Sequence, residues 1–307
     1  MFSTGGTVRR NSLYIERQAD QELYENIRNG KFCYLLAARQ MGKSSMLLNL
    51  KQKLEHDNYR VIYFDLNQIV QSYAEQEIWY TSIFQLIAYK LKDRQAFNKV
   101  WRENMDLSYQ ARFTLYLEDV LLPKLNEDIV IMIDEIDSVL KAKENNIQTD
   151  DFFAILRSIH NTKDMNPGYE KINFIIAGVA EPIDLISDVD RTPFNIGERI
   201  PLDNFSRQEV QHFVPVLGNR PDEAEKILEY VFNWTNGQPF LTQILCEKVV
   251  KDRIPLSGID NFVKEFIAEK GASFSNTKTH FDTIENRIEK GRGDRRGNLM
   301  TNRFLIA

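Results

Sequence analysis

Up to about Asp203 the chain alternates between unbroken apolar runs and stretches with apolar residues three and four apart. That alternation predicts buried strands interleaved with helices. The runs are Tyr34-Leu35-Leu36, the β-branched and aromatic YRVIYFDL (Tyr59–Leu66), Ile129 to Ile133, KINFIIAG (Lys171–Gly178) and a short last strand, ERIPL (Glu198–Leu202). A strand buried on both faces loses polar alternation, so the third and fourth runs predict a parallel sheet covered on both sides. Helical spacing occurs over Ala19–Ile27, through Met46, Leu47, Leu50 and Leu54, over Glu75–Leu91, Tyr109–Leu125 and Asp151–His160. Between the third and fourth of these, the region around Asp93–Asp106 reads as a polar, charged stretch. The expected fold class is therefore α/β, a parallel sheet flanked by helices.

After Asp203 the runs stop and only helical stripes remain. Ser206 with Glu209 is a capping box. Pro221 starts a helix carrying Ala224, Ile227, Leu228 and Val231. Asn236-Gly237-Gln238-Pro239 precedes another, with Pro239 in its first turn, and Ile259, Phe262, Val263 and Phe266 form a further stripe. Three regions follow: 1–203, a sheet domain; 204–272, a helical bundle; and 273–307. The last holds a helix start at His280–Glu289 and a basic, Gly-containing end with Arg292, Arg295, Arg296 and Arg303.

Composition narrows the classes. At 307 residues and 43% hydrophobic content the chain can bury a sizeable core and a second unit. A net charge of −5 argues against a dedicated nucleic-acid binder. Cys33 and Cys246 are far apart and show no metal spacing, which fits a reducing, cytoplasmic setting. Met1–Arg10 lacks the apolar core of a secretory signal, and no run approaches the roughly 18 apolar residues of a membrane span.

The candidate chemistry sits in FCYLLAARQMGKSSMLLNL, Phe32–Leu50: a strand, a short turn, then a helix. Gly42-Lys43-Ser44 is the core of a P-loop. Its backbone, Ala38, Arg39, Gln40, Met41, Gly42, Lys43, Ser44 and Ser45, would cradle phosphates. Lys43 would reach the β/γ oxygens and the Ser44 hydroxyl would ligate Mg²⁺. Ala37 stands where the full pattern has Gly, which the backbone tolerates only if φ is negative there. Asp134-Glu135 closes the strand Ile129–Ile133, at the carboxyl end where open α/β sheets bind ligands. Asp134 is placed to hold Mg²⁺ through water and Glu135 to polarise an attacking water, with Asp137 a less direct alternative for either. Tyr14, Ile15 and Arg17 are candidates for the adenine side, or pack an N-terminal arm. Arg191, in a loop, is a candidate cation for the γ-phosphate or an ordinary surface Arg.

The segments TGGTVRRNSLYIERQADQELYE, FCYLLAARQMGKSS, VIMIDEID, INFIIAGVAEPIDLI, RTPFNIG and NGQPFLTQ resemble the AAA-like ATPase domain of cyanobacterial multidomain proteins, within the STAND class of P-loop signalling ATPases. The resemblance runs from about Phe2 to about Met300. It implies an ASCE-type core, a helical lid over 204–272 and a winged helix that 273–307 only begins. It implies ATP/ADP and Mg²⁺ as cofactors and a switch closed with ADP and open, self-associating or partner-binding with ATP. Gly237 and Pro239 match the lid element that touches nucleotide as a second sensor. The tip of the Lys171–Gly178 strand lacks the polar residue that serves such proteins as the γ-phosphate sensor. Two alternatives stay open: a DNA-associated ATPase of the origin-recognition type, and a nucleotide-stabilised scaffold without hydrolysis.

Overall fold

The computed structural model describes residues 13–69, 75–186, 188, 191–217 and 221–270. The incomplete winged helix expected over 273–307, with its helix start and arginines, lies outside them. The described chain divides into a sheet unit, Tyr14–Asp203, and a helical unit from Asn204 onward.

In the sheet unit, α1 (Gln18–Arg28) leads to β1 (Cys33–Leu36), then α2 (Lys43–His56), β2 (Arg60–Asp65) and the short α3 (Leu66–Ile69). Next come α4 (Gln76–Lys90), α5 (Arg94–Glu103) and α6 (Tyr109–Leu115), before β3 (Ile129–Asp134), α7 (Ser138–Glu144) and α8 (Asp150–Asn161). β4 (Ile172–Gly178), α9 (Pro182–Leu185) and β5 (Glu198–Arg199) complete it. The sheet has five strands in the order β2-β3-β4-β1-β5, with every pairing parallel.

Strand parity sorts the core into two layers. Cys33, Leu35, Val130, Met132, Ile175 and Ala177 face α1 and α2, packing on Leu23, Ile27, Met46, Leu47, Leu50 and Leu54. Tyr34, Leu36, Ile62, Phe64, Ile131, Ile133, Phe174 and Ile176 face the opposite way, into an aromatic-rich layer with Trp79, Tyr80, Phe84 and Phe113. β1, β3 and β4 are buried throughout, whereas β2, at the sheet edge, alternates.

Two local readings change. The charged stretch expected around Asp93–Asp106 contains α5, which buries Phe97 and Trp101, four residues apart on one face. Beside it Arg112, 3% exposed, donates to both Glu77 oxygens at 2.9 and 2.6 Å and lies 4.4 Å from the Trp101 ring centre. The helical stripe over Tyr109–Leu125 is broken: a π-turn spans Tyr116–Leu121 and a 3₁₀ turn Leu122–Lys124. Pro123 has no N–H and excludes the carbonyl four residues back, so a regular α-turn fails there.

The helical unit consists of α10 (Arg207–Val210), α11 (Ala224–Thr235), α12 (Pro239–Lys251) and α13 (Ile259–Lys270), with 3₁₀ turns between. The Ser206–Glu209 capping box is formed: Glu209 N–H donates to Ser206 Oγ at 3.1 Å and Ser206 N–H to Glu209 Oε2 at 2.7 Å. No helix among the described residues is long and apolar enough to cross a membrane.

Candidate functional site

The loop between β1 and α2 leaves the sheet beside β4, where Ala37 N–H still donates to Gly178 O at 3.1 Å. The positive-φ positions in this loop are Gln40 (64°) and Gly42 (91°), so Ala37 sits where L-residues are at ease and its methyl costs no strain. Gly42 is the left-handed residue from which α2 starts, and Met46 N–H to Gly42 O at 2.9 Å is the first rung of its ladder. The N–H groups of Lys43 and Ser44 precede that rung, at the positive end of the helix. A helix start of this kind attracts phosphate.

Lys43 is 7% exposed, and its ammonium folds back to donate to Ala37 O at 2.7 Å and Ala38 O at 2.9 Å. An ammonium has three donors, so one stays available for a phosphate oxygen. Burial lowers its pKa; the carboxylates of Glu135, Asp134 and Asp137 act against that and hold the charge.

Asp134, at the end of β3, is 2% exposed. Its Oδ1 accepts from Glu135 N–H at 2.9 Å and its Oδ2 from the Tyr63 hydroxyl at 2.9 Å. Burial, then Asp134, pushes the phenol well above its ordinary pKa, so it stays protonated. Glu135 adopts φ 54°, an uncommon conformation for a side-chain-bearing residue. Burial raises its pKa first, then the Asp134, Asp137 and Asp65 carboxylates, which makes it a better proton acceptor than an ordinary glutamate.

Asp137 has a different task. Its carboxylate accepts from Val179 N–H at 2.8 Å and from Ala180 N–H, stapling the turn after β3 to the tip of β4. Gly178 permits the approach: a Cβ there would lie 2.5 Å from Ile136 Cγ2 and 2.8 Å from Asp137 Oδ2.

The N-terminal candidates form one network. Tyr14 donates to Asp20 Oδ1, and Arg17 N–H to Asp20 Oδ2 at 2.9 Å. Arg17 Nη1 reaches Met41 O at 3.0 Å and Asp203 O at 3.4 Å, gripping the phosphate loop from behind. Ile15 is buried. Arg191 forms an ion pair with Asp151 of α8 (Nη2–Oδ1 2.5 Å). Gly237 and Pro239 belong to the helical unit, at the turn between α11 and α12. There Gly237 O accepts from Phe205 N–H at 2.8 Å and Pro239 opens α12.

The donor set suits Mg²⁺. Ser44 offers a hydroxyl and Asp134 a buried, oriented carboxylate, hard oxygen donors of the kind that would hold Mg²⁺ shared with a nucleotide. Among the described residues no group of three or more His, Cys, Asp or Glu forms a closed metal cage, and a nucleotide-shared Mg²⁺ needs none.

A parallel five-strand sheet with a Gly-Lys-Ser helix start after β1 and a buried acid at the end of β3 defines a P-loop NTPase fold. Residues 3–287 match the AAA-like domain, and the chain belongs to that family. A WD repeat-containing protein of Synechocystis sp., described as uncharacterized, is 34% identical over 97% of this chain; the chain spans only 26% of that relative's length. Among solved structures, a Walker-type ATPase of Pyrococcus abyssi superposes with a TM-score of 0.55 at 16% identity, covering 96% of this chain and 80% of that one. That likeness is one of fold. The Aeropyrum pernix ORC1 protein in complex with DNA is more distant: TM-score 0.47, 12% identity, 91% of this chain and 67% of that one.

Tyr63 is the residue that sequence reasoning missed. In YRVIYFDL it shares strand parity with Asp65, and Asp65 is in register with Asp134. Parity is readable from sequence, but the register that brings Tyr63 to Asp134 is not.

Proposed function

We propose that the sheet unit binds ATP and ADP with Mg²⁺, and that the protein is a slowly hydrolysing molecular switch of STAND type coupling nucleotide state to assembly or signalling. The observation that carries this reading is the buried Asp134 carboxylate at the end of β3, held by the Tyr63 hydroxyl at 2.9 Å, together with a buried Lys43 at the start of α2. Lys43 and the first N–H groups of α2 bind the β- and γ-phosphates. Ser44 and Asp134 hold Mg²⁺, which when bound neutralises charge developing on the transferred phosphoryl group. Glu135 orients the attacking water and accepts its proton. Tyr14, Ile15 and Arg17 border the loop and are assigned to the adenine side. Arg191, paired with Asp151, is the candidate cation for the γ-phosphate.

Slow turnover is argued from the tip of β4. Gly178, Val179 and Ala180 bring no polar side chain, and the Val179 and Ala180 N–H groups are occupied by Asp137. ATP over GTP rests on the family. A relative with WD repeats fits a switch whose nucleotide unit works beside a partner-sensing repeat, so a protein partner or self-association in the ATP state is the expected output.

Nucleotide binding by calorimetry and phosphate release test the site together. Lys43→Ala should lose binding by at least about 100-fold, since a buried charge-assisted phosphate contact goes. Glu135→Gln should keep binding and lose turnover by about 10²-fold or more. Hydrolysis at the parent rate in both variants would refute the assignment. Light scattering tests the switch: a larger assembly with a non-hydrolysable ATP analogue than with ADP supports it, and equal mass with both rejects it.

A further inference from the structure

The geometry points to Tyr63 as a positioning residue for the metal, a hydroxyl that holds the Asp134 carboxylate in place before Mg²⁺ arrives; the inference rests on the nucleotide site proposed above. Tyr63 lies on the face of β2 that looks towards α2, opposite Met132 in register and one step short of Asp134 on the same face. A phenol has one proton to give and lone pairs to receive with. The proton goes to Asp134 Oδ2 at 2.9 Å. With Asp134 Oδ1 taken by Glu135 N–H at 2.9 Å, both carboxylate oxygens are held by a donor. The carboxylate is thus fixed in orientation from both sides.

Mg²⁺ demands near-ideal octahedral geometry and gives up water reluctantly, so ligands already oriented bind it better than ligands that must be recruited. Partners that orient metal ligands are worth about 10- to 100-fold in metal affinity. Packing alone would not need the hydroxyl. Tyr63 is only partly buried, and its ring lies against the α1–α2 layer as a phenylalanine ring would.

The experiment titrates Mg²⁺ into the full chain with ADP or a non-hydrolysable ATP analogue, reading nucleotide affinity, and repeats it with Mn²⁺ followed by electron paramagnetic resonance. Tyr63→Phe should bind nucleotide like the parent in excess EDTA, yet need about 10-fold more Mg²⁺ for half-saturation. In an Asp134→Asn background the same substitution should have little further effect, because the charged carboxylate that Tyr63 orients for the metal is gone. A Tyr63→Phe protein with the parent's Mg²⁺ requirement, beside a parent whose affinity is clearly Mg²⁺-dependent, overturns this inference alone. So does a Tyr63→Phe effect that persists undiminished with Asp134→Asn. A parent whose nucleotide binding ignores Mg²⁺, or is unaffected by Lys43→Ala, overturns the site and the inference with it.

Discussion

Two helices in this chain begin just after a glycine in the left-handed conformation: Gly42 (φ 91°) before α2 and Gly237 (φ 74°) before α12. They look alike in sequence and have opposite fates. At α12 the start is closed. Pro239 removes one N–H, and Gln238, 2% exposed, accepts from Leu241 N–H at 2.6 Å. A Cβ on Gly237 would stand 2.0 Å from Phe205 O, so the turn is clamped to the backbone around it. At α2 the start is open. No side chain caps it, and the nearest atom to a Cβ on Gly42 is the end of Arg17, at 3.3 Å. The first turn of α12 is capped by its own side chain and lacks one N–H, whereas no side chain caps the first turn of α2.

Substitutions can break this comparison, and the expected effects descend in order. Gly237→Ala meets a carbonyl at 2.0 Å in a conformation L-residues avoid, and neither can yield cheaply. Chemical denaturation should show a loss of more than about 3 kcal/mol or separate unfolding of the helical unit. Gly42→Ala meets only a side-chain end, so the cost is the left-handed backbone itself, about 1–2 kcal/mol. Its main effect should be on nucleotide affinity, reduced by about 10-fold or more as the loop shifts from its cradle. Equal damage to stability from both alanines, with nucleotide binding unchanged by Gly42→Ala, would erase the distinction. Gln238→Ala should be mildest. It uncaps α12 at a cost of about 1 kcal/mol, read as a small fall in Tm, and leaves nucleotide binding as it was.

What could be read from the sequence follows from which forces act locally. β3 and β4 were visible because burial on both faces leaves unbroken apolar runs, IVIMID and INFIIAG. Lys43, Ser44 and Asp134 were visible because a phosphate loop and a strand-end acid are local patterns. α5 was hidden by its charges: Phe97 and Trp101 carry its burial, and two residues make a weak stripe. The π-turn before Pro123 is a compromise between helix packing and a missing N–H, invisible to a periodic pattern. The linkage of Tyr63 to Asp134 depends on the register of β2 against β3, which is decided by the whole core and not by either strand. The tolerance of Ala37 likewise needed a backbone angle that no residue type specifies.

The close approach at Gly178 also bears on what this lineage can become. A side chain there would collide with Ile136 and Asp137, and Asp137 anchors the Val179 and Ala180 N–H groups. A polar residue at this position is therefore not one mutation away. Ile136 and Asp137 would have to give way first, and each change made alone weakens the turn that holds the acids. The bare strand tip is thus locked by its neighbours: a side chain at Gly178 is admitted only where Ile136 and Asp137 have been repacked together.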